Sequence, residues 1–247
     1  MDLFVLIVFG IINLIIHFIG AISGGKGLIL RPLLIFLGIP IVSVISSSIV
    51  AGSIVKIVKI YSFQKFNKID WKLAKLYFFI SGIGGIVGVF FTIYINEKVL
   101  EVLLGILILG MGIFLLLNKK IGIIEENKTL SLFQKLYVYP IYFIISILEI
   151  IVGGVGSLFS FILIKFHGKS YITASATKTV IHLSTIIASI FFIFFIPINW
   201  LLVLVLIISG SIGSYWGVVY GIKKGEVWVK FLTLFVIFIS GIKLVFF

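Results

Sequence analysis

The chain has no cysteine, so disulfides, thiolate-held metals and thiol catalysis are excluded. It has only three histidines, too scattered to suggest a metal site. No GxxxxGK[ST] stretch is present to cradle a nucleotide phosphate. Negative charge is scarce, with 8 acidic against 20 basic residues, and charged residues of both signs make up only 11%. With 62% hydrophobic residues and a mean hydropathy of +1.36, polar surface is too sparse to clothe a water-soluble globule. The expectation is an all-α polytopic membrane protein without a soluble domain. The net charge of +12 does not point to nucleic acid, because the basic residues lie in short stretches between apolar runs and no aromatic reading motif accompanies them.

What is present is apolar sequence punctuated by glycine. Leu3 to Ile22, Leu76 to Ile95, Val99 to Leu117, Ala176 to Ile196 and Leu201 to Ile222 are each long enough to cross a bilayer as a helix. The first of them lacks a basic flank and a small-residue cleavage site, so it reads as a retained helix. Two other segments are too short to cross. SGGKGLILRPLLIFLG from Ser23 and VGGVGSLFSFILIKFHG from Val152 each carry an apolar stretch of about eleven residues after a glycine cluster, near ~16 Å of helix against a ~30 Å hydrocarbon core. Short, glycine-interrupted segments at matching places in two halves of a chain point to the binding site of a transporter.

The two copies lie 129 to 130 residues apart, and the offset persists: Gly38 matches Gly168, Ser46 to Ser48 align with Ala176 to Lys178, and Gly84 with Gly88 match Gly213 with Gly217. The expected architecture is two repeats, residues 1–120 and 137–247, joined by a cytoplasmic linker at 121–136. Each repeat is a long-plus-short broken-helix hairpin followed by three transmembrane helices, an odd number of crossings that inverts one repeat against the other. Lysine clusters at Lys56 to Lys75, Lys119 to Lys135 and Lys223 to Lys230 are assigned to the cytoplasm by the positive-inside rule. Both termini then fall outside, with Lys98 and Lys243 the only basic residues stranded there.

A half-helix that starts at mid-membrane offers unpaired backbone N–H groups at its positive end, a natural seat for an anion. Gly24, Gly25 and Gly27 in the first half, and Gly153, Gly154 and Gly156 in the second, are the backbone candidates, since glycine lets an oxyanion approach the main chain closely. Lys26 and Arg31 are the candidate countercharges, and a guanidinium can grip an oxyanion with two hydrogen bonds. Alternatively both reach a membrane face and set topology. Ser47 and Thr177, within the hydroxyl-rich starts of the following helices, would complete the shell or merely bond between helices. Lys178 is either a second cation for the anion or the mark of a helix end. Glu149 is the one carboxylate inside an expected membrane segment, and with His182 it is a candidate for proton coupling or, equally, a structural pair with Lys178 or Arg31. His17 reads as a hydrogen-bonded packing residue.

Taken together, the duplicated glycine clusters (Gly24-Gly25-Lys26-Gly27 with Pro32, and Gly153-Gly154-Val155-Gly156), the Ser46 to Ser48 and Ala174 to Lys178 stretches, and Gly84/Gly88 resemble the TauE/SafE family across essentially the whole chain. Within that resemblance Lys26 stands where a small residue is usual, and Pro32 has no second-half counterpart. The resemblance implies a multi-pass cell-membrane transporter of small anions, sulfur-containing oxyanions, organosulfonates or carboxylates, with no enzymatic activity and no cofactor. The expected working mode is alternating access with export. An anion channel, a membrane-embedded enzyme and a structural partner in a larger complex are the rival readings. The expected partners are a small anionic substrate and membrane lipids, with no nucleic acid; homo-oligomerisation is left open.

Overall fold

The computed structural model describes residues 3–24, 26, 27, 30, 41–91, 97–118, 120–126, 128–151, 155–195 and 198–246. Gly25, Arg31, Gly153 and Gly154, together with Pro32 and Gly38, lie outside the described residues. The described chain is helical throughout: α1 (Leu3–Ser23), α2 (Ile41–Gln64), α3 (Trp71–Phe91), α4 (Glu97–Leu117), α5 (Leu132–Ile151), α6 (Gly156–His167), α7 (Tyr171–Ile181), a 3-10 turn (His182–Thr185), α8 (Ile186–Phe195), α9 (Trp200–Lys224) and α10 (Glu226–Phe246). Five of these helices contain windows long and apolar enough to cross a bilayer: α1, α2, α3, α5 and α9.

The distribution of side chains is that of a protein whose solvent is lipid. Ile11 and Phe79 are 56% and 70% exposed, whereas Asn13, Ser46, Ser47, Ser214 and Thr177 are wholly buried. Large apolar residues outside and polar ones within are stable only where the surroundings are hydrocarbon. Polar groups therefore bond between helices, as where Asn13 Nδ2 donates to Ser209 Oγ at 2.7 Å between α1 and α9.

Glycine sets the two tightest helix crossings. On α3, a Cβ at Gly84 or Gly88 would lie 2.8 Å from the carbonyl oxygen of Phe143 or Ile147 on α5. On α9, a Cβ at Gly213 or Gly217 would run into the carbonyl of Leu14 or Phe18 on α1. The glycines and the carbonyls they face in one crossing are each 129 residues from their counterparts in the other. Small residues allow this backbone approach, and dispersion across it replaces the hydrophobic drive that lipid cannot supply.

Two expectations need correction. The span placed at Ala176 to Ile196 begins earlier and is interrupted: helix starts at Tyr171, where Ser170 Oγ caps Thr173 N at 3.2 Å, and turns 3-10 at His182–Thr185. Every residue of α7 is buried, so it faces protein and needs no apolar run to announce it. Lys56 and Lys59, assigned to a cytoplasmic cluster, instead lie inside α2, which continues to Gln64.

The turn between α6 and α7 is tied to the loops around it. Gly168 takes a left-handed conformation (φ 66°) and closes α6, and Glu126 N donates to its carbonyl at 2.7 Å. Lys169 Nζ lies 2.9 Å from Asp70 Oδ2 and 3.2 Å from Glu125 Oε1, joining the α2–α3 and α4–α5 connections. Burial alone would raise the Asp70 carboxyl, but Lys169 and the Leu73 N–H outweigh it and hold it below the usual carboxylate value. Burial likewise opposes the charge on Lys169, and its two carboxylate partners more than restore it.

Candidate functional site

The end of α1 meets the start of α6. Gly24, at φ +82°, closes α1, and a Cβ built on it would lie 3.3 Å from both Gly156 C and Ser157 N at the start of α6. That α6 start has no side-chain cap, so its first N–H groups retain the positive end of the helix dipole. At 12 residues α6 is half a membrane thick. The two breaks and the inner faces of α2, α7 and the 3-10 turn enclose a cavity of about 120 Å³, which is space for a small anion with some of its water and far more than one water molecule requires.

Charge on the cavity wall is one-sided. Lys26, Lys56, Lys59 and Lys178 line it, with His17 and His182, against the single carboxylate of Glu149. Lys56 Nζ donates to Thr185 Oγ1 at 2.6 Å. Lys26 Nζ lies 3.2 Å from His17 Nε2 and 3.4 Å from its Nδ1, and that Nδ1 is 3.0 Å from Ser214 Oγ. Glu149 Oε1 stands 3.8 Å from His182 Nδ1. Lys178 is 4% exposed, and its ammonium has no hydrogen-bond partner among the described residues. It sits directly over the break, 2.9 Å from where a Gly24 Cβ would be. Burying a cation costs several kcal/mol unless it is hydrogen-bonded and neutralised. The cavity thus has the makeup of a seat for negative charge.

Of the residues singled out in the sequence, Gly24, Lys26, Gly27, Gly156, Lys178, Glu149 and His182 all line this cavity. Ser47 and Thr177 do not. Ser47 is wholly buried with an unpartnered hydroxyl, and Ser48 takes the place on the wall. The Thr177 hydroxyl accepts from Asp70 N at 3.0 Å, on the side of α7 that faces the loops. Sequence reasoning missed Lys56, Lys59 and His17. The missed signal is a helical stripe: Ser48, Gly52, Lys56 and Lys59 recur at intervals of four, four and three along one face of α2, all on the wall.

The family model described as sulfite exporter TauE/SafE matches residues 9–244. No curated protein and no solved structure matches the chain.

Proposed function

The chain belongs to the sulfite exporter TauE/SafE family, and from that premise we propose that it exports small sulfur-containing oxyanions or organosulfonates through the cavity between the two helix breaks. The observation that carries this reading is the convergence, among the described residues, of four lysines on a cavity with one carboxylate, one of those lysines having no hydrogen-bond partner among them. At an effective dielectric near 20, an ammonium about 4 Å from an anion contributes roughly 4 kcal/mol of attraction before desolvation is charged against it. Several such contacts, with the α6 N–H groups, outweigh the loss of an oxyanion's water. The protein is a carrier in this reading, as the family's transporters are, and its chemistry is binding and release with no bond made or broken.

The mechanism we propose is alternating access between inverted halves, residues 1–120 and 137–247 linked by 121–136, in the cell membrane with both termini outside. Its support is the pair of α1–α9 and α5–α3 crossings built from glycines and carbonyls at one constant offset. Two like crossings can rock about a fixed central site. Glu149 and His182 are proposed to adjust the site's charge with pH. Arg31, Gly25, Gly153 and Gly154 remain proposed contributors beside the breaks, and small carboxylates remain within the chemistry of the cavity.

The test is transport by purified protein in vesicles. Saturable counterflow of sulfite or a sulfonate is expected, and Lys26→Ala and Lys178→Ala should each reduce anion affinity at least tenfold, as loss of a charged hydrogen bond of about 1.5–3 kcal/mol requires. Non-saturating flux would identify a pore instead, and unchanged affinity in both variants would remove the site.

A further inference from the structure

His17 lies on α1, two turns before the break, and its ring packs against the bare face of Gly210, where a Cβ would come within 2.9 Å of Cε1 and 3.0 Å of Nδ1. The contact with Lys26 defines the ring's charge. An ammonium can only donate, so Lys26 Nζ, 3.2 Å from Nε2 and 3.4 Å from Nδ1, needs a ring nitrogen with a free lone pair. The Ser214 hydroxyl, 3.0 Å from Nδ1, can donate to the ring or accept from it and so serves either neutral tautomer. A doubly protonated ring would offer Lys26 no acceptor and set two cations against each other. Lys26 is therefore parked on a neutral His17.

We infer that the His17–Lys26 pair is a proton-uptake element of the anion site: when an anion draws the Lys26 ammonium onto itself, the freed ring nitrogen of His17 takes up one proton. This rests on the anion-binding reading of the cavity. The balance is simple. One proton passes from water to the lone pair that Lys26 releases on the ring, and no covalent bond is otherwise made or broken. The added positive charge is matched by the anion's negative charge, so the two ligands favour each other's binding reciprocally. The other charged groups facing this pair are Lys56 and Lys59 from α2, Glu149 from α5, and Lys178 and His182 from α7 and the turn after it. Packed against α1, α9 presents only hydroxyls here, Ser209 and Ser214. From α10, Glu226 and Lys230 are engaged elsewhere, with Ile172 N and Asn118 O. The excess of cations keeps the imidazole neutral until an anion arrives. His17 is a positioning residue for Lys26 as well as the proton acceptor.

The experiment is titration calorimetry of the purified full chain with methanesulfonate, an anion that carries no proton of its own, in buffers of different ionisation enthalpy. The wild type should bind about one more proton per anion than His17→Gln, whose amide can accept from Lys26 and donate to Ser214 yet does not titrate. Without any variant, wild-type affinity should strengthen toward low pH by up to about tenfold per unit over the uptake range. Equal proton numbers in wild type and His17→Gln, or a flat wild-type pH profile, would overturn the inference alone. So would uptake that persists in His17→Gln and disappears in Glu149→Gln, which would place the proton on the carboxylate. No anion binding by the wild type at any pH would overturn the anion-site reading and this inference with it.

Discussion

At the scale of single residues, a side chain kept for binding is distinguished from one kept for folding by the sign of its effect on the empty protein. Lys178 is buried without a hydrogen-bond partner, so its charge opposes folding of the unliganded carrier. Lys178→Met should therefore raise the stability of the anion-free protein, by about 1–3 kcal/mol, while abolishing the thermal shift that sulfite or a sulfonate produces. Thermal unfolding in detergent with and without anion checks both halves; a destabilised empty variant would mark Lys178 as structural. Gly24 makes the complementary case. Its φ of +82° and the 2.9 Å approach of Lys178 Nζ to a would-be Cβ leave no room for alanine. Gly24→Ala should cost about 1–2 kcal/mol of stability for the left-handed backbone, and, because the lysine tip is what must move, weaken anion affinity by about tenfold in the same titration.

At the scale of elements, the two glycine crossings make equal and separately testable demands. Gly84→Ala presses on the Phe143 carbonyl and Gly213→Ala on that of Leu14. Neither backbone can retreat without parting two helices, so each variant should lose about 1–3 kcal/mol, the range of overpacked cores. Alanine at Gly52 or Gly110, where nothing lies within 4 Å of a would-be Cβ, should change stability little, and unfolding of the four variants side by side decides it. These elements also show which features could be read from sequence. The glycine pairs and broken helices were legible because backbone approach and chain interruption leave only glycine as a solution, whatever the three-dimensional context. The register of charge was not. Lys56 and Lys59 share their composition with Lys65 and Lys68 a few residues on, and a rule that counts lysines near helix ends cannot tell the two apart when the helix runs on to Gln64. Hydropathy failed on α7 for the converse reason: a helix buried on all sides by protein can be Thr-Ala-Ser-Ala-Thr-Lys-Thr in its middle. The repeat itself hides the site's charge, because Lys178, His182 and Glu149 stand opposite Ser48, Gly52 and Gly20 at the 129 to 130 offset. At these three positions the second half supplies a titratable group and the first a small residue, so no symmetric motif marks them.

At the scale of the whole molecule, the Lys169 cluster determines what must break if the carrier opens at the α6–α7 end. Lys169 joins Asp70 and Glu125 through a side chain that is 11% exposed. Asp70 is held below its ordinary value, so its contribution to stability is present above the unfolded carboxylate's pKa near ~3.9 and is lost as pH falls through the lower folded value. Asp70→Asn should lower the melting temperature at neutral pH, and the gap from wild type should close below about pH 4. The same ties bear on access. Thr179 lines the cavity two residues beyond Thr177, which accepts from Asp70 N, and the absence of native cysteine makes Thr179→Cys a clean reporter for an impermeant maleimide. If the described state is closed on this face by the cluster, Lys169→Ala removes both ion pairs from that state and none from the opened one. A differential loss of about 1.4 kcal/mol moves the two-state equilibrium tenfold. Labelling of Thr179→Cys from the side bearing the α6–α7 turn should then accelerate about tenfold in the Lys169→Ala background and slow again when saturating anion recloses the site. Unaltered labelling would mean that the face opens by a movement that leaves the three loops joined.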